Sequence, residues 1–254
     1  MKKWLYGIKK DNQNLSVVIP TFNNASYLAE CLQSVTASCD DGCCNYEILL
    51  GIDSCYDTVN VLHKHSIFSN KNIRIFFFPK NVGPYIIRNS LANISKYDNI
   101  LFFDSDDVLM KHSIEILMKK FYNKDILKYK FYNFHHGKDY NDVENLSLSS
   151  MFSHGSFLIK KTKFMEMNGF FGWKCGADTE FDERCIGINQ QIHKLDIPLF
   201  YRRYHGKNIT MTSETGINSK IRKKYGEFIQ NRQLIKKWSN PEQLEVFNFN
   251  LVKI

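Results

Sequence analysis

The fold is decided by the stretch ILFFDSDD, which runs from Ile100 to Asp107. Four apolar residues that favour strands lead directly into three carboxylates within four positions. A buried strand cannot carry that many unpaired charges, so the strand must end there and open into a polar crevice. In open α/β sheets, ligands bind in such a crevice at the carboxyl ends of the strands.

Asp104 and Asp106 form a D-x-D pair, and Asp107 follows directly. Oxygen ligands at this density suit Mg²⁺ or Mn²⁺, hard cations that typically bridge to the phosphates of a ligand. The alternative is that the carboxylates cap a following helix over Val108 to Phe121, since Asp is common at helix starts. For an isolated D-x-D the capping interpretation is favoured over a metal site, so the choice between the two depends on the rest of the chain.

Strands and helices alternate before and around this stretch. The predicted strands are Leu15–Pro20, Tyr46–Asp53 and Ile73–Phe78, and the predicted helices are Tyr27–Val35, Asn60–Phe68 and Ile86–Ile94. The alternation predicts an α/β fold with a mostly parallel sheet flanked by helices. Because parallel strands end at the same edge, Thr21, Asp53 and the D-x-D pair should meet in one crevice. Independent helix caps would not need to align in this way.

The second half of the chain is less regular. Leu127–Phe134, Phe152–Ile159 and Ile192–Tyr201 are predicted strands, Phe164–Met167 a helical turn, Ser219–Trp238 a basic helix and Leu244–Ile254 an apolar segment that docks on the domain. Between them, glycines bracket a loop that delivers Asp178 to the start of a helix, where it is either an N-cap or a functional carboxylate. A single histidine, His205, follows two arginines further on.

Composition sets the outer limits. A chain of 254 residues, 43% of them hydrophobic, fits one large domain with a substantial core. The formal net charge of +8 attracts anions, but no nucleic-acid-binding motif accompanies it. We find no apolar run long enough for a membrane span and no secretory signal at Met1–Tyr6. Seven scattered cysteines favour reduced thiols in the cytoplasm.

Over about residues 15–212 the chain resembles the family 2 glycosyltransferases, which have the GT-A fold. The similar segments are Leu15–Asn23 (the family's VVIPTYN), Tyr46–Asp53 (EIIVVDDGSTD), Asn81–Gly83 with Arg88-Asn89 (N-x-G-x-x-x-x-R-N), Phe103–Asp107 (LDSDD), Gly172-Trp173 with Glu180-Phe181 (GWGGED-x-EF) and Asp178 with Arg184 (E-D…R). Ile52, Ser54 and Ala177 depart from the usual Asp, Gly and Glu. The order and spacing of these elements make the resemblance specific.

The resemblance implies a role for each matching residue. The implied nucleotide-binding residues are Pro20, Thr21, Phe22, Asp53, Arg88 and Asp104, the metal ligands are Asp106 and His205, the catalytic base is Asp178, and the supporting residues are Asp107, Arg184 and Trp173. The implied cofactor is Mn²⁺ or Mg²⁺. The missing Glu at position 177 bears on how the acceptor is oriented, while the base itself is present.

The resulting expectation is one GT-A domain over residues 1–254, with a nucleotide-binding half (15–107), an acceptor half (108–212) and a C-terminal helical extension (213–254). The expected activity is metal-dependent inverting transfer from a nucleotide-sugar, a UDP-sugar above all, to a glycan or glycoconjugate hydroxyl. The alternative is a non-catalytic binding module with the same fold, which should have lost Asp106 or Asp178. No specific nucleic acid is expected as a partner. A homodimer and contact of the basic segment Lys220–Lys237 with a membrane surface stay open.

Overall fold

The protein, described here from a computed structural model covering residues 14–40 and 44–252, is built on one sheet with ten strands in those residues. The strands are β1 (Asn14–Thr21), β2 (Asn45–Asp53), β3 (Ile73–Phe78), β4 (Asn99–Phe102), β5 (Val108–Leu109), β6 (Ile126–His135), β7 (Ser147–Leu148), β8 (Phe157–Lys160), β9 (His193–Tyr204) and β10 (Asn250–Val252). The helices are α1 (Ala25–Cys39), α2 (Tyr56–Val61), α3 (Pro84–Ile94), α4 (Ser113–Phe121), α5 (Lys161–Glu166), α6 (Ala177–Gly187) and α7 (Lys220–Ile235). The expectations for Met1–Tyr6 and for the last two residues lie outside the described chain.

The strand order is β10-β3-β2-β1-β4-β8-β6-β9-β5, with β7 beside β6. Strands β3, β2, β1 and β4 run parallel, as does the pair β6 and β9, whereas β8, β5, β7 and β10 are antiparallel to their neighbours. The α/β fold is therefore confirmed, and its parallel part is concentrated in the first half of the chain. The carboxyl ends of β1, β2 and β4 meet at one edge, as predicted.

Helices cover both faces of the parallel part. Val17 and Ile19 belong to one apolar cluster, with residues of α1, and Val18 belongs to the other, with residues of α3. This division follows from the two-residue period of a strand. Helix α3 lies so close to β2 that a Cβ on Gly51 would stand 2.4 Å from a methyl carbon of Ile87. Glycine inside this strand therefore permits the close approach of the helix.

Two predicted helix boundaries are wrong. The helix expected over Asn60–Phe68 is α2 followed by short 3-10 turns at Leu62–Lys64 and Ser66–Ser69. Of the apolar residues in that segment, only Leu62 and Phe68 are buried. The segment therefore has no continuous apolar face that a helix could pack against the core.

The helix expected directly after Asp107 begins only at Ser113, because Val108 and Leu109 first pair with β9 as strand β5. The D-x-D carboxylates therefore do not cap it. In α6 the N-cap residue is Gly176, in the left-handed conformation (φ 76°), and it offers no side chain. The D-x-D carboxylates are thus not helix caps, and Asp178 is not the N-cap residue, although it accepts a hydrogen bond from the Thr179 amide in the first turn.

The C-terminal segment forms the predicted helix and then packs against the domain. Ser219 caps α7 by accepting a hydrogen bond from the Arg222 amide. Beyond the helix, Phe249 packs on Phe76 and Phe78, and β10 pairs with β3. Residues up to 252 thus dock as the apolar pattern predicted.

Candidate active site

The loop after β1 lies against the D-x-D loop, where the Asn24 amide donates to Ser105 Oγ at 3.0 Å. Thr21 is buried and its Oγ1 has no hydrogen-bond partner in the described structure. The next side chain, Phe22, is 48% exposed. A buried hydroxyl without a partner calls for an explanation, and the contact of Thr21 and Phe22 with a nucleotide stays a prediction.

Asp53 stands at the end of β2 and holds the loop that precedes α3. Its two carboxylate oxygens accept from the Val82 and Gly83 amides at 2.8 and 2.9 Å. Burial raises the pKa of Asp53, and these two amides oppose the rise. Gly83 has φ 85°, a conformation that favours glycine. Asp53 therefore fixes the loop; its contact with a nucleotide base stays a prediction.

Asp104 is paired with Arg88 of α3, and their nearest atoms are 2.5 Å apart. The guanidinium is buried while the carboxylate remains partly open to the crevice. Loss of solvent raises the pKa of Asp104 against the opposing effect of Arg88, and the neighbouring Asp106 and Asp178 add to the rise. Gly155 faces this pair, since a Cβ there would lie 3.2 Å from Asp104 Oδ2. A side chain at position 155 would therefore crowd the crevice.

Asp106 contacts His205, the residue that directly follows β9. Asp106 Oδ2 lies 2.8 Å from His205 Nε2. Both side chains are largely buried, and the Asn208 amide donates to the same carboxylate oxygen at 3.1 Å. The neighbouring Asp107 accepts the Arg203 amide hydrogen at 2.9 Å, and burial raises its pKa well above the usual range. Asp107 thus ties the D-x-D loop to β9.

A carboxylate and an imidazole in contact are ligand types that suit a divalent cation, and both have been brought together from distant parts of the chain. Within residues 14–40 and 44–252, however, no three His, Cys, Asp or Glu side chains converge in an arrangement that could hold a metal ion. Asp106 and His205 could thus supply only part of the ligands of a cation, with the rest from a bound diphosphate and water as is usual for Mg²⁺, and the binding of Mn²⁺ or Mg²⁺ here stays a prediction.

Asp178 lies in the first turn of α6 and accepts hydrogen bonds from Tyr85 Oη at 2.8 Å and from the Thr179 amide at 2.9 Å. Burial raises the pKa of Asp178, but the Tyr85 hydrogen bond and the electrostatic effects of His154, Arg88 and Lys128 together outweigh it and lower the pKa. Asp178 is consequently an ionised carboxylate at neutral pH.

Helix α3 connects the two acidic groups. Tyr85 contacts Asp178, and Arg88, one turn later, contacts Asp104. The structure therefore brings Asp104, Asp106 and Asp178 to one crevice, and Asp53 holds the loop at the amino end of the same helix. Beside His205 a cavity of about 440 Å³ opens, lined also by Tyr27, His136 and Lys207 among others.

Two predicted supporting residues lie behind the crevice. Arg184 is fully buried, pairs with Glu180 at 3.0 Å, and donates to the carbonyls of Met167 and Gly169 at 2.6 and 2.7 Å. Trp173 stacks on Tyr225 of α7, with ring centroids 4.1 Å apart and planes at 2°. Both residues support the loop that leads to Asp178.

Sequence reasoning missed one cluster at the edge of the crevice. Lys128 of β6 donates to Asp182 Oδ2 at 2.6 Å, and His154 Nδ1 lies 2.6 Å from the same oxygen. The signal was available, because a lysine inside an apolar strand needs a buried partner and Asp182 follows Asp178 by one helical turn. Two acids near Asp178, Asp182 and Glu180, are buried in ion pairs.

The sequence model described as Glycosyl transferase family 2 matches residues 16–181. The chain belongs to this family. The match confirms the family and fold expected from the motifs. Of the helices in the described residues, none is long and apolar enough to cross a membrane.

Relatives of this family 2 chain carry glycosyltransferase names. It is 25% identical to glycosyltransferase GlyG of Streptococcus pneumoniae over 219 residues, covering 76% of this chain and 71% of GlyG. It is 36% identical to an uncharacterised glycosyltransferase of Rickettsia conorii over 112 residues, covering 43% of this chain and 17% of that protein. The chain thus spans a small part of the Rickettsia protein.

The fold is also that of S. aureus TarS, residues 1–349, whose crystal structure in complex with UDP-GlcNAc superposes with a TM-score of 0.62. The superposition covers 88% of the family 2 chain and 72% of the TarS chain, at 18% sequence identity. At that identity the likeness establishes the fold and leaves the substrate to be argued from the site.

Proposed function

We propose that the protein transfers a sugar from a UDP-sugar donor to a hydroxyl of a glycan or glycoconjugate acceptor, with inversion at the anomeric carbon. The observation that carries the proposal is the position of Asp178. It is held ionised by Tyr85 on the opposite side of the crevice from the D-x-D pair, and α3 spans the two. The UDP-GlcNAc complex of TarS, which has the same fold, supports a nucleotide-sugar as donor.

In the proposed reaction, Asp178 accepts the proton of the acceptor hydroxyl as that oxygen attacks the anomeric carbon. The new bond to the acceptor oxygen forms while the bond from the anomeric carbon to the diphosphate oxygen breaks, and UDP leaves with its electron pair. Tyr85 donates to one oxygen of Asp178 and so orients the carboxylate toward the acceptor. Arg88 keeps Asp104 in place on the donor side.

Asp106 and His205 are the residues that would hold Mn²⁺ or Mg²⁺, and the chemistry such an ion supplies is neutralisation of the negative charge of the departing diphosphate. This separation of roles matters, because a carboxylate bound to a cation is a poor base. Among the described residues, Asp178 makes no hydrogen bond with Asp106 or His205, so in this proposal it stays free of the cation and available to the acceptor. Metal dependence and inversion are parts of the proposal that experiment must test.

The proposal is tested by incubating the protein with UDP-glucose, UDP-galactose, UDP-GlcNAc and UDP-GalNAc, with and without Mn²⁺, and measuring UDP release. Asp178→Asn should keep donor binding but lose about 10²-fold or more in turnover, the low end of a general-base contribution. Asp125→Asn, which alters an exposed acid just before the amino end of β6, is the matched control. Unchanged turnover in Asp178→Asn would remove Asp178 as the base, and binding without any turnover in the wild type would favour the non-catalytic module.

A further inference from the structure

The cluster of Lys128, Asp182 and His154 is the feature that the proposed reaction leaves unused. Lys128 lies in β6, between β8 and β9, and its side chain is only 3% exposed. Its ammonium group contacts Asp182, donates to the His154 carbonyl at 3.3 Å and lies 4.9 Å from the centre of the Phe157 ring. A buried lysine is thus fully engaged in holding two residues in place.

This arrangement is a poor way to gain stability. Asp182 Oδ2 contacts both Lys128 and His154, while the buried Oδ1 has no hydrogen-bond partner in the described chain. Desolvating a lysine and a carboxylate is costly, and apolar residues of similar size commonly serve a core as well or better. A half-satisfied buried carboxylate is best explained by what it positions.

What it positions is the ring of His154. Nδ1 is 2.6 Å from Asp182 Oδ2, which fixes the ring plane, and the side chain is still 40% exposed. None of the residues that the structure describes makes a hydrogen bond to Nε2. The main chain on both sides of His154 is also held. The Ser153 amide donates to the Tyr129 carbonyl, and Ser153 Oγ accepts from the Ser156 amide.

His154 is linked to both acidic sides of the crevice through its neighbours. The next residue, Gly155, faces the Asp104 and Arg88 pair on the donor side. On the other side, His154 Nδ1 contacts Asp182, which lies one helical turn after Asp178 in α6. In the proposed reaction, the group bound between Asp104 and Asp178 is the transferred sugar. Its bond to the diphosphate breaks on the Asp104 side, and its bond to the acceptor forms on the Asp178 side.

We infer that His154 Nε2 hydrogen-bonds a hydroxyl of the transferred sugar, and that Asp182 and Lys128 are positioning residues that hold the imidazole for this contact. The inference rests on the proposed function and adds to it a residue that recognises the sugar rather than the nucleotide. It predicts that His154 contributes to the affinity for a UDP-sugar and contributes nothing to the affinity for UDP.

The test compares His154→Asn with His154→Gln. The asparagine amide can replace Nδ1 and keep the contact with Asp182, but it leaves nothing at the Nε2 position. The glutamine amide reaches the Nε2 position instead. His63→Asn, at an exposed histidine of the 3-10 turn Leu62–Lys64, is the control. Dissociation constants for UDP and for each of the four UDP-sugars are measured by calorimetry in Mn²⁺.

His154→Asn should weaken binding of the preferred UDP-sugar by about 3- to 10-fold, the effect of one uncharged hydrogen bond, and leave UDP binding within about twofold. His154→Gln should recover most of the loss, and Asp182→Asn should show the same selective loss as His154→Asn. A merely structural role would give the reverse order, with asparagine tolerated and glutamine not.

The outcomes separate the two proposals. If the wild-type protein releases UDP from none of the four UDP-sugars, the donor assignment falls and the role of His154 falls with it. If it releases UDP from one of them but binds that UDP-sugar with the same affinity as UDP, only the role of His154 is overturned. If the wild type discriminates and His154→Asn discriminates equally, only the role of His154 is overturned. Loss of UDP affinity in His154→Asn, or a loss confined to the KM for acceptor, also overturns it.

Discussion

Replacing Arg184 by methionine should destabilise the protein more than any surface change, although Arg184 touches no part of the crevice. Its guanidinium and the Glu180 carboxylate are both fully buried, 3.0 Å apart. Removing one partner of a buried pair typically costs about 3–5 kcal/mol, because the other charge is left uncompensated. The carbonyls of Met167 and Gly169 lose their donors at the same time. Against a usual total of about 5–15 kcal/mol, this is a large loss.

The assay is urea unfolding followed by tryptophan fluorescence or circular dichroism, with the free energy of unfolding extrapolated to water. Lys119→Met is the matched control, since Lys119 pairs with Glu115 at 2.5 Å but the two side chains are 53% and 37% exposed, and such pairs contribute about 0–1 kcal/mol. Adding Glu180→Gln to Arg184→Met should restore part of the loss, because the uncompensated carboxylate is then gone.

The same carboxylate gives the effect a pH dependence. Burial raises the pKa of Glu180 and Arg184 opposes the rise, so removing Arg184 raises it further. A carboxyl whose pKa is raised in the folded state binds a proton more readily there than in the unfolded state. The free energy of unfolding therefore increases as the pH falls. The free energy of unfolding that Arg184→Met loses relative to the wild type should therefore be smaller at about pH 5 than at about pH 8. A loss below about 1 kcal/mol, or no recovery in the double variant, would refute the buried-pair interpretation.

Three further predictions concern the crevice and its support. Asp106→Ala should abolish the Mn²⁺ dependence of UDP binding in calorimetry, and an unchanged dependence would exclude it as a ligand. Tyr225→Ala removes the ring stacked on Trp173 and should lower turnover and cost about 1 kcal/mol in urea unfolding, whereas unchanged values would show that α7 does not support the loop. Because the pKa of Asp178 is lowered, its ionised form stabilises the fold above the ordinary value of 3.8, and this contribution is lost as the pH falls through the lowered pKa. The stability difference between wild type and Asp178→Asn should thus shrink in acid, and a constant difference would contradict the shift.

The sequence predicted the parallel half of the fold because strands there carry their own signal. Leu15–Pro20 and Tyr46–Asp53 are continuous apolar runs that end in polar residues, and a parallel sheet covered on both faces requires such runs. The same pattern placed Thr21, Asp53 and Asp104 at one edge. The acidic D-x-D pair and Asp178 were found as candidates because clustered carboxylates are conspicuous where an apolar strand or a glycine-rich loop ends.

The sequence predicted the irregular half less well, because its strands are antiparallel additions whose partners lie far along the chain. Val108 and Leu109 were expected to enter a helix, but pairing with Tyr201 and Phe200 makes them a strand. Two hydrogen-bonded residues leave no periodicity that a local reading could detect. The pairing nevertheless matters for function, since it sets the D-x-D loop beside His205.

What the sequence determined by itself is therefore the order of strands and helices in the first half, the acidic character of the crevice and the family. What only the tertiary structure decided is the partner of each charge. Arg184 pairs with Glu180 in the core, Lys128 pairs with Asp182, and the partly exposed His154 contacts the same Asp182. The physical reason is that hydrophobic periodicity is a local property of the chain, whereas a buried charge is tolerated only where folding brings an opposite charge to it.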